Sequence, residues 1–327
     1  MGRFVLALVV GFVVLGFCNA FNQTAPIIKP IDDWEWSYQG RPVETVEFVA
    51  FADLVPLASE LNYTAETWSA GQTEVPRLVL QQVPERFAEV TVHEVPVEHK
   101  KRIFFQMMLP LVLIANEEMA YEREALLALK ARIDAGRIPS AKDLIELRRF
   151  ADKYDVSMEG DVVPVQKVLD TLEHRIDIVP PSLALAQAAI ESAWGTSRFA
   201  LEGNALFGQW TFGRKGMVPE EQRTEKGDYK VAAFHTPLHS VRSYLRNLNT
   251  HPAYRDFRKH RAAARTDGRS LSGKSLAATL SRYSERGAAY VKEIRHLIAA
   301  NGLSILDRSK LVDGTVYELV PVWRAAG

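Results

Sequence analysis

Residues 180–210 read PPSLALAQAAIESAWGTSRFALEGNALFGQW, and within them Glu191 sits in an almost wholly apolar, small-residue setting. Pro180 and Pro181 suit the entry to a helix, and Ser182 is placed to cap it. Leu183 to Trp194 are good helix formers until Gly195 ends the run. Glu191 is therefore expected in the last turn, near the negative end of the helix dipole. Its neighbours Ala188, Ile190 and Trp194 carry no charge to offset that end. Both effects raise its pKa. A carboxylic acid kept protonated near neutral pH is what glycosidic cleavage needs to protonate a leaving oxygen, as for the glutamate beside a tryptophan in lysozyme. The same position also suits a glutamate whose head group reaches water, and composition does not choose between the two.

Around this stretch lies a chain of 327 residues, 47% hydrophobic, long enough to bury a sizeable core as one large domain or two smaller ones. Its first twenty residues place Arg3 before an apolar run from Phe4 to Phe17 and end in Cys18, Asn19 and Ala20. That pattern reads as a secretory signal cleaved after Ala20, and its apolar run is short for a membrane span. An acylated Cys18 is a rival reading, opposed by bulky Phe17 before it. Cleavage would remove the single cysteine, leaving an exported chain that relies on its core rather than on disulfides, which favours a bacterial envelope protein over a small disulfide-stapled secreted one; the expected location is the periplasm of a Gram-negative bacterium.

The formal charge is zero but unevenly spread: residues 21–90 hold 11 acidic and 4 basic residues, residues 241–300 hold 13 basic and 4 acidic. The basic segment suits either a polyanion or a solvated helical face. Export disfavours nucleic acid as a partner and leaves an anionic envelope polymer compatible.

In chain order, residues 21–97 read as an extended, partly disordered acidic arm, in which VETVEFVAF, RLVLQQV and FAEVTVHEV alternate like short strands. Residues 98–160 read as a helical extension packing on the core. Its first helix, 98–136, should be kinked or split at Pro110, and it reads as a buried core helix rather than a membrane span. Helices are expected at Ser140 to Tyr154, Val163 to Ile176, Leu238 to Asn249, Tyr254 to Arg265, Leu276 to Tyr283 and Ala288 to Asn301. Between Gly195 and Pro237 the Gly- and aromatic-rich sequence, with a GD turn before YKVAAF, predicts a small β hairpin. Residues 304–327 read as a terminal strap. The fold class is mainly α (α+β).

Other chemistries find little support. His235 and His239 have ligand spacing, but Pro237 lies between them and no third ligand is apparent, so no metal site is expected. No GxSxG, GxGxxG or P-loop occurs, which removes the common acyl-transfer and nucleotide readings and leaves no expected cofactor. SLAATLSRYSERGAAYVKEI has helix-turn-helix spacing, a frequent chance pattern in a chain that export keeps from DNA. Its Tyr283 and Tyr290 suit core packing as well as orientation of a sugar or a water.

LAQAAIESAWGTSRFALEGNALFGQW resembles the catalytic motif of glycoside hydrolase family 73, the bacterial peptidoglycan β-N-acetylglucosaminidases, and is most similar to its Bax-type branch. The core resemblance covers roughly residues 175–300, and KKRIFFQMMLPLVLIANE is also similar to that branch. The resemblance implies a lysozyme-like helical domain over 161–303, with a small β hairpin at the cleft and an N-terminal helical and extended extension.

It also implies site residues. Glu191 takes the place of the general acid. Asn204, Leu206, Phe207 and Gly208 match the turn beside the sugar, and Gln187, Trp194, Trp210 and Tyr290 would complete the substrate site. Tyr283 to Ile294, YSERGAAYVKEI, corresponds to the family's YATDPxYAxKI. This places Tyr283 on the functional tyrosine and Tyr290 on the second, with TDP lost between them. A hairpin glutamate after threonine, Glu225 after Thr224, would assist catalysis, with Glu220, Glu221 and Asp228 as alternatives. The implied activity is endo-hydrolysis of the β-1,4 bond between N-acetylglucosamine and N-acetylmuramic acid in peptidoglycan. The alternatives are a muramidase or lytic transglycosylase on the same fold, or a non-catalytic peptidoglycan-binding scaffold. A weak envelope or membrane association through the N-terminus is compatible with either.

Overall fold

The structure, a computed structural model, describes residues 38, 40–84, 96–158, 164–211, 216–219 and 229–322. The signal-like segment, FAEVTVHEV (87–95), and Glu220, Glu221, Thr224, Glu225 and Asp228 of the expected hairpin lie outside the described residues.

The elements follow in the order β1 (Val43–Phe48), α1 (Val55–Glu60), α2 (Ala65–Ser69), β2 (Glu74–Leu80), α3 (Val97–Asp134), α4 (Ala141–Lys153), α5 (Val165–Arg175), α6 (Pro181–Glu191) and α7 (Arg198–Gly203). After them come β3 (Trp210–Thr211), β4 (Lys230–Val231), α8 (Pro237–Thr250), α9 (Arg255–Thr266), α10 (Gly273–Leu276), α11 (Ala288–Ala300) and β5 (Lys310–Pro321). The described residues are mainly helical, with two small sheets.

The N-terminal arm and the C-terminal strap meet in one sheet. β5 is its central strand, parallel to β1 with Val316 opposite Val43, and parallel to β2 with Val316 opposite Arg77. Parallel neighbours need a long crossover, and here the whole helical region from α3 to α11 lies between β2 and β5. α1 and α2 went unforeseen in the sequence. α2 begins at a capping box, with Thr64 Oγ1 accepting from the backbone of Thr67 and Thr67 returning a bond to the backbone of Thr64.

α3 organises the interior by packing on β2, α6 and α8. It runs unbroken through Pro110, contrary to the split expected there. A proline inside a helix costs about 3 kcal/mol. Here Pro110 is itself buried among Leu109, Leu111, Val112 and Leu113, and that packing holds the helix together. The polar side chains that α3 turns toward the core are paired. Asn116 exchanges two hydrogen bonds with the backbone of Val179, at 2.8 and 3.0 Å, just before α6. Glu117 receives both arms of Arg77 from β2, Glu118 receives Arg242 from α8, and Glu122 receives Lys153 and Tyr154.

Much of the basic excess in residues 241–300 is spent inside the protein. Arg242 holds Glu118, Arg258 donates to the carbonyls of Leu248 and His251, and Arg261 donates to those of His174, Asp177 and Ile178. Arg265 grips the Asp177 carboxylate with two bonds, at 3.1 and 2.8 Å. Arg265, Arg261 and Arg123 around buried Asp177 hold its carboxyl below the usual range against its burial.

Two local expectations need correction. Ser182 does not cap α6. Pro180 is the N-cap residue and gives no side-chain bond, and the Asp307 carboxylate accepts from the backbone of Ser182 and of Gly273, at 2.9 Å each. A Cβ at Gly273 would lie 2.2 Å from Ser182 Oγ and 2.6 Å from the Leu183 nitrogen, so this approach of α10 to α6 requires glycine. The helix expected at Leu276 to Tyr283 is instead α10 and a 3-10 turn at Ala277–Thr279. The chain then turns back, which lets the Tyr283 ring stack on Tyr290 at 5.6 Å and 3°.

Candidate active site

Glu191 is the last residue of α6 and 5% exposed. The chain after it leaves the helix abruptly. Ala193, Trp194 and Gly195 have φ of 50°, 61° and 79°, and left-handed conformations at two non-glycine residues in succession are costly and cluster at functional sites. The turn is held by Ser192, whose hydroxyl donates to the Ala188 carbonyl and accepts from the Gly195 nitrogen. It sends Trp194 against Phe104 and Phe105 of α3, with Lys101 Nζ 5.7 Å from its ring. Trp194 thus braces the end of α6 against α3.

Gln187, one turn before Glu191, shares its face of α6. Tyr290 on α11 donates to Glu191 Oε1 at 2.7 Å, Gln187 Nε2 donates to the Tyr290 hydroxyl at 3.0 Å, and Tyr244 on α8 donates to Gln187 Oε1 at 2.7 Å. Gln187 is fully buried, so its amide is committed to the two tyrosines and does not line the cleft as expected. The other oxygen, Oε2, faces the turn after α7, where a Cβ built on Gly208 would be 3.5 Å away. Gly208 has φ +58°.

Burial pushes the Glu191 pKa from 4.5 up to about 8, with Glu293 adding to the rise and the Tyr290 bond and Arg286 opposing it. Arg286 and Glu293 pair with each other at 2.7 Å. Tyr244 and Tyr290 are raised well above the ordinary tyrosine range by burial, so both keep their protons.

The other sequence-derived candidates fall into place around this group. Phe207 stacks on Tyr244 at 3.9 Å and 7°, and the Tyr283 hydroxyl donates to the Phe207 carbonyl at 3.4 Å. Tyr283 is 2% exposed and lies one ring beyond Tyr290. Asn204 does not offer its amide to a ligand. It accepts from the Val83 nitrogen and donates to the carbonyls of Phe234 and His235, fastening the segment after β2 to the turn beside Glu191. Its φ of 50° makes it the left-handed residue ending α7. Trp210, on β3, stacks on Tyr229 at 4.2 Å. β3 pairs antiparallel with β4, as the alternation of YKVAAF suggested, while Glu225 lies outside the described residues. His235 and His239 meet edge to face at 6.1 Å. Among the described residues no group of three or more His, Cys, Asp or Glu is placed to hold a metal ion.

Tyr244 and the Arg286–Glu293 pair went unrecognised in the sequence. Tyr244 reads as one more apolar position of HSVRSYLRNLN, and only the fold brings its hydroxyl to Gln187.

The model of the glucosaminidase family, described as mannosyl-glycoprotein endo-beta-N-acetylglucosaminidase, matches residues 167–303. Residues 167–303 are thus similar to the glucosaminidase family. The match takes in α6, the turn bearing Gly208, α8 and α11, and so the whole hydrogen-bonded group around Glu191. A relative in Escherichia coli (strain K12), "Protein bax", is 31% identical over 191 residues, covering 58% of this chain and 66% of the relative. The chain therefore spans just under two thirds of that relative's length. Among solved structures, the catalytic domain of the autolysin Auto from Listeria monocytogenes is matched over 68% of this chain and 93% of that chain. It shares 15% identity at a TM-score of 0.37, a likeness too slight to bear on the fold. α3 and the three-stranded sheet lie outside the glucosaminidase match, yet Phe104, Phe105, Asn116 and Val83 brace it.

Proposed function

We propose that this protein hydrolyses glycan strands of peptidoglycan, with Glu191 as the general acid. The observation that carries the reading is a buried carboxyl with a pKa of about 8, inside the segment that matches the glucosaminidase family. Below that pH the group is neutral and able to donate. In the proposed reaction the Glu191 proton passes to the bridging oxygen as the glycosidic bond breaks, the sugar carbon develops oxocarbenium character, and a water adds its hydroxyl there while losing a proton. A base for that water is expected from the hairpin, with Glu225 the favoured group. The substrate's own acetamido oxygen is the alternative, in which case Glu191 in its ionised form takes the proton from water. Tyr283 supports Tyr290 and the Phe207 carbonyl, and so holds the wall near the acid.

The bond proposed is the β-1,4 link from N-acetylglucosamine to N-acetylmuramic acid, in keeping with the endo-beta-N-acetylglucosaminidase description of the matching family. The signal-like N-terminus and the envelope substrate together place the reaction in the periplasm in this reading. The test is the identity of the new reducing end. Purified sacculi are digested, reduced with borohydride and analysed by mass spectrometry. Reduced N-acetylglucosamine is the expected end. Reduced N-acetylmuramic acid, or an anhydro end, would assign the protein to muramidase or lytic transglycosylase chemistry instead.

A further inference from the structure

The acid's own proton must sit on the oxygen that faces substrate, and the buried chain behind Glu191 decides which oxygen that is. Tyr244 is fully buried, and among the described residues its hydroxyl has one hydrogen-bond partner, Gln187. A phenol that keeps its proton in such a place has to donate it, since an unused buried donor costs about 1–3 kcal/mol. Gln187 therefore turns Oε1 toward Tyr244 and Nε2 toward Tyr290. With its oxygen taken by that amide proton, Tyr290 sends its single proton to Glu191 Oε1. An oxygen accepting that bond is not the one that carries the acid proton, which leaves Oε2, the oxygen beside Gly208.

We infer that Tyr244, through Gln187 and Tyr290, is a positioning residue that fixes the polarity of this hydrogen-bond chain and so holds the Glu191 proton on Oε2, toward Gly208 and the turn that the proposed function puts beside the sugar. The inference rests on Glu191 being the acid, as proposed above. Reversing the chain shows what the polarity is for. If the Gln187 amide flips, Tyr290 donates to Gln187 instead, and Glu191 turns its own proton inward from Oε1 to the Tyr290 oxygen. The carboxyl is then still protonated but has nothing to give to a leaving group on the cleft side. No bond is made or broken in the flip; two hydrogen bonds reverse direction.

Tyr244→Phe removes the anchor while keeping the ring that stacks on Phe207. Either orientation of Gln187 then leaves one amide group unpaired, and the two polarities become comparable. The groups facing Glu191 are Tyr290 and Glu293 from α11, Arg286 before it, and Tyr244 through Gln187 from α8; residues 204–208 contribute none that titrate.

The test is the pH profile of sacculus hydrolysis by the full chain. For Tyr244→Phe, kcat is expected to fall about threefold to tenfold with KM unchanged. The upper limb of the profile is expected to move to higher pH, because the flipped chain bonds the neutral acid and deprives the anion of Tyr290. A merely structural role gives the opposite displacement, since loosening admits water and draws the acid back toward an ordinary carboxyl. An unchanged profile, or an upper limb moved to lower pH, overturns the inference. Gln187→Leu leaves the buried Tyr290 hydroxyl no acceptor among the described residues but Glu191 Oε1, so in this variant the upper limb should not rise, and a rise there overturns the inference if Tyr244→Phe does not fold. Glu191→Gln separates the two readings: if that variant retains activity, the assignment of the acid fails, whatever Tyr244 does.

Discussion

Replacing Glu191 by glutamine should make the protein more stable in alkali, an outcome opposite to that for most buried ion pairs. The Glu191 pKa in the folded protein is about 8, against 4.5 for an ordinary glutamate. Its folded value lies above its unfolded value, so the folded state holds a proton that the unfolded chain releases. Stability is then fully present below pH 4.5, falls as pH rises through the window from 4.5 to about 8, and stays low above it. At ~1.4 kcal/mol per pH unit the loss amounts to about 5 kcal/mol. Glutamine mimics the neutral acid, since its carbonyl can accept from Tyr290 and its NH₂ points where the Oε2 proton lies, and it does not titrate. Wild type and Glu191→Gln should therefore have nearly equal Tm at pH 5, and the variant should melt higher by roughly 10 °C at pH 9. Differential scanning calorimetry from pH 4 to 10 measures both curves. Parallel curves across the whole range would mean that Glu191 is ionised or solvated in the folded protein, and the reasoning from burial would be refuted.

Other perturbations address the parts that hold Glu191. Gly208→Ala places a methyl group 3.5 Å from Glu191 Oε2 at a φ of +58°. It should cost about 1 kcal/mol of stability and lower kcat with little change in fold by circular dichroism. Glu118→Gln leaves Arg242 buried without its carboxylate, and urea unfolding should show a loss of about 3–5 kcal/mol. Phe105→Ala removes the ring that meets Trp194 at 5.3 Å. A loss of about 3–5 kcal/mol in the same assay is expected, because α3 and the segment that matches the glucosaminidase family share one core.

What was readable in the sequence follows from how local its cause is. α6 ends at Glu191 because an unbroken run of helix formers meets a turn it can enter only in left-handed conformations. The carboxyl's apolar setting was visible in the same residues. The hairpin strands at Trp210 and Lys230 and the buried character of α3 were equally local, set by alternation and by an all-round apolar run. Long-range contacts were not legible. Nothing in LVDGTVYELVP indicates that β5 inserts between two N-terminal strands more than 200 positions away, and Asp307 gives no sign that it serves α6 as a cap. Asn204 and Gln187 show the same limit at the site: motif position placed them beside the cleft, whereas the fold commits their amides to Val83, Phe234 and His235 in one case and to two tyrosines in the other. Tyr244 carries no motif at all, and its role emerges only from the hydroxyl it can reach.

The most direct test of Glu191 as the acid of a peptidoglycan hydrolase is the rate at which the purified protein releases soluble fragments from sacculi at pH 6, compared with Glu191→Gln. Removal of a general acid of this kind costs at least about 10²-fold. The expected result is release by wild type and a rate at least a hundredfold lower for a variant that remains folded. Equal release by the two proteins, or release by neither alongside equal binding, would contradict it.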